Sequence, residues 1–465
     1  MGSSDTFKSL CLEYGFALIL RIWLYNSEFK ATVSGRVEVS TPINSWKKVT
    51  EGVALYKDGI NPYSGDMFHE SPVGLVIYSQ LIDQATPYLS AIFIIFDLLT
   101  GHLLYLTAVE YMKHLMRRQN EDKDEYSEEV KELLLTDKDV KRQPLYVVAA
   151  YLFNPYILFN TVAQTTTVFS NFCLAASFFC MVKGNRPVVC LFLSLATLQS
   201  LYPIVLIVPA AICIGYHTLP PVNKSKSVTS KLPKIYQKIL PRALQSTNSD
   251  HWVRSMAATI GLFAAMTSSL LVLSCYISGG WEFVHSVYGF MLLVPDLRPN
   301  IGLFWYFFTE MFEHFRLLYL WAFQMNALVL YLLPLSLRTR RDPVLLAATL
   351  TGITAMFKSY PSLGDVGFYL ALLPMWAHIF PYLQQGFIVL AAFIITSVLG
   401  PTVWHLWIYA RSANANFYFG VGLAFAIAQI FLITDILLSY TKREFILRQV
   451  SGSVFNGKHR KLVLA

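Results

Sequence analysis

Apolar windows of about twenty residues recur from end to end of this 465-residue chain, separated by short charged stretches. A helix needs roughly 20 apolar residues to cross a bilayer. The pattern therefore predicts an all-α polytopic membrane protein and excludes a soluble globule. Counted inward from the charged stretches, about twelve transmembrane helices fall near 7–25, 87–112, 144–160, 168–183, 187–199, 202–217, 255–278, 303–335, 344–357, 366–382, 386–409 and 416–440. Several are short or broken by proline, as at Tyr202-Pro203 and Tyr360-Pro361. Such breaks are tolerated where neighbouring helices or a cavity satisfy the backbone. Residues 1–465 read as one multispanning domain.

The charged stretches set the orientation. Residues 113–143 hold eight Lys/Arg and nine Asp/Glu, which predicts a solvated helical excursion. Residues 217–254 hold seven Lys/Arg against Asp250 alone, with Pro220, Pro221, Pro233 and Pro241 as breakers. The turn at Arg338, Arg340 and Arg341 and the tail 441–465 are also basic. Placing all four in the cytosol satisfies the positive-inside rule. Both termini are then cytosolic, and 26–86 becomes the first luminal loop, with the turn-rich patch Asn61-Pro62-Tyr63-Ser64-Gly65. The sequon Asn223-Lys224-Ser225 falls in the basic loop and is expected to escape glycosylation. The stretch 9–25 carries Glu13 and Arg21 and no clear small-residue cleavage site, so it is expected to be a retained signal-anchor helix.

Composition sharpens this picture. The chain is 55% hydrophobic and 14% charged, with a mean hydropathy of +0.46. Its net charge of +8 is concentrated in a few short loops, so no nucleic-acid partner is expected. Cys11, Cys173, Cys180, Cys190, Cys213 and Cys275 all lie in apolar segments without paired spacing, so packing is expected rather than disulfides or zinc. No G-x-S-x-G, H-E-x-x-H or Walker loop occurs. Neither a cofactor nor a metal is expected, and catalysis by this chain alone has no support.

Four groups of residues could carry chemistry. The run PNIGLFWYFFTEMFEHF at 299–315 places Glu310 and His314 four apart, on one helix face. An ionisable group at bilayer depth costs about 2.5–3.5 kcal/mol, so it usually faces protein or a water-filled cavity. The pair could line a luminal vestibule with Asn300 and Trp305, or sit at a helix end within an aromatic interface belt. Lys358, Tyr360 and Asp365 lie in a break between apolar runs. Lys358 and Asp365 could pair across the turn, or Lys358 could meet an anionic headgroup. Asn414 and Asn416 suit a hydroxyl-rich ligand, since each amide both donates and accepts, but Asn is also a common helix cap. Lys224 and Lys226 suit anionic lipid, worth about 1 kcal/mol per basic residue. Asp97 reads as a buried hydrogen-bonded group.

The runs SPVGLVIYS, LFNPYILFN, SLYPI, VYGFMLLVPDLRPNIGLFWYFFTEMFEHF, MFKSYPSLGDVGFYLALLPMW and PTVWHLWIYARSANANF resemble the PIG-U family, from Arg36 to the last span. PIG-U is the multispanning subunit of the glycosylphosphatidylinositol (GPI) transamidase of the endoplasmic reticulum membrane. It is similar in turn to the GPI mannosyltransferases through Asn61-Pro62-Tyr63, Asp97-Leu98-Leu99-Thr100, Asn154-Pro155 and the stretch from Lys358 to Pro374. The resemblance implies a glycosyltransferase-C-like scaffold. Those enzymes carry Asp-x-Asp in the first luminal loop, where this chain has Ile43-Asn44-Ser45.

The resemblance further implies a non-catalytic subunit that binds GPI lipid and presents it to a caspase-like cysteine subunit. It makes Asn414 and Asn416 headgroup contacts, the FKSYPSLGD turn a lining of the lipid cleft, and Lys224 and Lys226 part of a basic cluster. The expected partners are the other transamidase subunits, the GPI lipid and membrane lipids. Two alternatives stay open: a sugar transferase with Glu38 or Glu51 as base, and a GPI lipid transporter.

Overall fold

A computed structural model describes residues 3–122, 126, 134–218, 249–449, 454–455 and 458–459. Lys224, Lys226 and the sequon at Asn223 lie outside the described residues. The described chain is helical, apart from a two-residue antiparallel pair, Val454–Phe455 with Lys458–His459. Its α-helices of six residues or more begin with α1 (Ser3–Tyr25), α2 (Phe29–Ser34), α3 (Trp46–Lys57), α4 (Pro72–Ala85), α5 (Leu89–Glu121) and α6 (Asp137–Leu152). There follow α7 (Pro155–Val162), α8 (Thr167–Lys183), α9 (Arg186–Gln199), α10 (Ile207–His217) and α11 (Ser249–Ser278). The last third holds α12 (Phe304–Glu310), α13 (Glu313–Leu328), α14 (Leu332–Arg338), α15 (Pro343–Phe357), α16 (Leu363–Leu372), α17 (Gly386–Ile408) and α18 (Ala415–Gln449).

Among the described residues, 6 helical stretches are long and apolar enough to cross a membrane, or up to 7 if the bent pair α6–α7 counts as one span. Further expected spans correspond to apolar helices of 10–17 residues: α8, α9, the segment Tyr202–His217 that ends in α10, and α15. These short helices form the centre. α15 is buried almost throughout, because it is apolar on every face and packed among α10, α13, α14, α16 and α18. The main core joins its Leu346 and Ala347 to Leu104 of α5, Val147 of α6, Cys190 of α9 and Phe368 of α16. α17 is the opposite case. It packs chiefly along α18 and buries only Val389, Phe393 and Thr396.

One expected span is overturned. Residues 303–335 do not form a single helix, because α12 ends at Glu310, Met311 is extended (φ −84°, ψ 143°) and α13 begins at Glu313. Glu310 and His314 therefore sit on different helices, not on one face.

Two buried carboxylates tie helices together inside this body. Asp97 accepts from Arg21 Nε at 2.6 Å and from the Tyr151 hydroxyl at 2.8 Å, while Arg21 Nη1 donates to Leu152 O at 3.1 Å. That knot fastens α1 to α5 and α6. Asp342 caps α15 through the Leu345 amide at 3.0 Å and accepts from Tyr111 at 2.6 Å. The cysteines are unpaired, with Cys180, Cys190 and Cys213 buried and Cys11 on an exposed face.

Residues 26–86 fold against this body. Asn44 accepts from the Thr41 amide at 2.6 Å and donates to Thr167 Oγ1 at 2.9 Å, and its carbonyl receives the Thr166 amide at 2.9 Å. Asn44 is thus a structural stitch between 26–86 and the start of α8.

Candidate functional site

Four segments far apart in sequence meet: 36–44, 300–310, 358–365 and 404–419. The turn after α15 begins with Lys358, whose backbone is extended (ψ 157°) and ends the helix. Ser362 then starts α16, with Asp365 accepting from the Ser362 amide at 2.9 Å and hydroxyl at 2.8 Å. The same carboxylate holds Lys358 Nζ at 2.5 Å, with the two side chains 11% and 17% exposed. Lys358 and Asp365 thus pair across the turn, leaving a partly exposed, nearly neutral couple.

Tyr360 points inward. Its ring stacks on Phe290 at 5.1 Å, and its hydroxyl donates to Asp296 O at 3.0 Å. Beneath it, the Tyr202 hydroxyl bonds Ser359 Oγ at 2.5 Å and Gln324 Oε1 at 3.0 Å, and Gln324 Nε2 reaches Met291 O at 3.0 Å. Asn300 is also buried, accepting from the Gly302 amide at 2.7 Å. Gly302 is required there, because an added Cβ would lie 2.7 Å from Pro361.

Trp305 is 4% exposed, packed among Trp407, Tyr418 and Phe419 at ring separations of 6.1–6.3 Å. It therefore offers no free face to a ligand. Glu310 and His314 are exposed, and the His314 ring lies 4.0 Å from that of Phe315. They do not join Asn300 and Trp305 in a common vestibule.

Asn414 and Asn416 are exposed at the start of α18. Asn414 Oδ1 accepts from the amides of Asn416 at 3.0 Å and Phe417 at 3.3 Å, a helix cap. Asn416 Oδ1 accepts from the Tyr306 hydroxyl at 2.7 Å. Both oxygens are engaged, which leaves the side-chain NH2 groups as the donors available at this surface. They stand at the head of a groove of about 550 Å³ between α17 and α18, whose walls include Ile395, Leu399, Phe417 and Gly420. Amides above apolar walls make an amphipathic site, with polar donors at the mouth and hydrocarbon along the length.

Sequence reasoning missed the groove walls. The available signal was Gly420 and Ala424 four apart on α18, since small residues at that spacing let helices approach or leave space. It also missed the brace behind the groove. The Tyr418 hydroxyl donates to Glu38 Oε1 at 3.1 Å, Arg36 Nη2 donates to the same oxygen at 3.1 Å, and Glu38 O receives the Leu363 amide at 2.9 Å. Glu38 therefore binds 26–86 to both α16 and α18. No group of three His, Cys, Asp or Glu residues able to hold a metal occurs among the described residues.

Comparisons with known proteins agree over most of the chain. The family described as GPI transamidase subunit PIG-U matches residues 15–425. The human GPI-anchor transamidase component PIGU is 37% identical over 441 residues, covering 94% of this chain and 95% of that protein. Its Mus musculus counterpart is 38% identical over 440 residues, with coverage of 94% and 95%. A GPI transamidase component of Saccharomyces cerevisiae is 25% identical over 410 residues, 88% of each chain. With a family match over residues 15–425 and a relative 37% identical over 94% of its length, this chain belongs to the PIG-U family of GPI transamidase subunits.

Proposed function

We propose that this chain is a non-catalytic subunit of the GPI transamidase of the endoplasmic reticulum membrane, and that it binds the GPI lipid and presents it for attachment to protein C-termini. A caspase-like cysteine subunit performs the chemistry. The observation that carries this reading is the α17–α18 groove with the Asn414 and Asn416 amides at its head. Acyl chains lie along Ile395, Leu399 and Gly420, and the NH2 groups donate to phosphate or sugar oxygens of the headgroup. The Lys358–Asp365 turn borders the headgroup region, and Lys224 and Lys226 add a basic contact for lipid phosphate.

The scaffold is that of a glycosyltransferase-C-like protein of about twelve membrane helices, the short central ones included, with both termini cytosolic and 26–86 luminal. Glu38 supports the non-catalytic reading. A general base needs a free lone pair near substrate, whereas this carboxylate is held by Arg36 and Tyr418.

The test is the double substitution Asn414→Asp with Asn416→Asp. Both aspartates keep the acceptor oxygens that cap α18 and bind Tyr306, so the fold is retained. They remove the NH2 donors and add negative charge beside an anionic headgroup. GPI recovered with the purified complex is expected to fall about tenfold or more, the equivalent of about 1.4 kcal/mol, with all subunits still present. Undiminished GPI capture and attachment would remove these residues from the site.

A further inference from the structure

Away from the lipid groove, α5, α8 and α9 frame a second hollow of about 270 Å³. Its walls include Leu99 and His102 of α5, Phe172, Ala176 and Phe179 of α8, and Phe192 of α9. His102 is exposed, and at 1.5 Å per residue it stands about 20 Å along α5 from Leu89, well inside the apolar stretch Pro72–Glu121. α1 approaches it, with the Tyr14 ring edge-on to the imidazole at 6.2 Å, and Tyr105 of α5 itself stacks on it at 6.1 Å. The α1 side is short of partners as well. Ser9 donates to Glu13 Oε1 at 3.2 Å, but Glu13 Oε2 and the Tyr14 hydroxyl are buried without a hydrogen bond among the described residues.

An exposed imidazole at this depth is badly placed against lipid, whose tails can neither donate to it nor accept from it. Ionisable groups inside membranes usually face protein or water. The hollow also has the wrong size for a lipid. At about 270 Å³ it is half the α17–α18 groove of about 550 Å³, and below the roughly 300–1,000 Å³ of small-molecule pockets. Three phenylalanine rings and a small Ala176 instead make a recess of side-chain dimensions, and membership of a multisubunit transamidase supplies neighbours to fill it.

We propose that this face of α1, α5, α8 and α9 seats a transmembrane helix of another transamidase subunit. Large apolar side chains of that helix enter the hollow, and an amide or hydroxyl side chain hydrogen-bonds His102. The proposal is independent of the lipid groove, which lies on other helices.

The test uses the full chain assembled with its partners and purified in mild detergent. A photoreactive benzophenone side chain replaces Ile95, which is 52% exposed one turn from Leu99. Irradiation is expected to join it to one identified subunit. Leu99→Trp, which fills the recess from its rim, should then lower recovery of that same subunit at least tenfold. Val272→Trp on α11, at a site 60% exposed, should change nothing. Should Leu99→Trp reduce the level of the chain itself, His102→Leu takes its place, removing the hydrogen bond at nearly constant volume. An adduct with lipid alone, no adduct, or full retention of the cross-linked subunit in the variants that fold would each overturn the assignment.

Discussion

At the scale of single residues, Asn414 shows how one side chain serves two ends. Its oxygen caps α18 and the residue lines the groove, so the two roles separate by substitution. Asn414→Ala is expected to cost about 1 kcal/mol of stability through the lost cap, whereas Asn414→Asp costs little, a contrast read by thermal unfolding in detergent. The cap was legible in the sequence, because Asn before an apolar run is a known start signal. The groove beneath it was not, because it depends on how α17 lies. Gly364 gives a second residue-scale expectation. Asn171 donates to its carbonyl at 3.2 Å, and an added Cβ would collide with the side chain of Asn160. Gly364→Ala should therefore destabilise the protein by about 1–3 kcal/mol, seen as a lowered unfolding temperature. Unchanged stability would mean that α16 and α7 can move apart freely.

At the scale of elements, the sequence marked most apolar segments but not where they bend. The break at Met311-Phe312 contains neither glycine nor proline, so nothing local separates α12 from α13. It is set by tertiary contacts: Phe304 and Phe308 pack with Phe323 of α13 at 5.1 and 5.5 Å, which a straight helix could not allow. Nor did composition show that α17 would be an outlying helix. Its attachment rests on Asp435 of α18, whose carboxylate accepts the Gln384 amide at 3.0 Å and the Gln385 amide at 2.8 Å, just before α17 begins. Asp435→Ala should leave those amides unsatisfied and let the start of α17 fray. Hydrogen exchange is expected to quicken at residues 384–389 while α15 stays protected. Unaltered exchange there would shift the anchoring of α17 to its apolar contacts alone.

For the whole molecule, the repeated apolar windows announced an all-helical membrane protein, and the long family motifs announced its kinship. What the linear pattern hid was the inner arrangement, in which helices too short to span alone are surrounded by longer ones. It also hid a pair of buried groups in 26–86 that should make stability depend on pH. Glu70 is buried, and burial pushes its carboxyl from 4.5 up to about 8, opposed by the Thr166 side chain. Next to it, burial lowers the His69 imidazole from 6.5 to about 4, opposed by the Ser286 carbonyl at 2.8 Å. Folded Glu70 holds a proton that the unfolded chain releases above 4.5, so its contribution falls as pH rises from 4.5 to about 8. Folded His69 stays neutral where the unfolded chain takes up a proton, so its contribution falls as pH drops from 6.5 to about 4. Between 4.5 and 6.5 the two slopes oppose each other and produce a plateau. Above it only Glu70 acts, and stability should fall on the order of 2 kcal/mol by pH 8. Glu70→Gln removes the titrating group, so its unfolding temperature should stay level from pH 6.5 to pH 8 while that of the parent declines. Parallel declines in the two proteins would assign the alkaline loss to other groups and leave Glu70 ionised in its buried site.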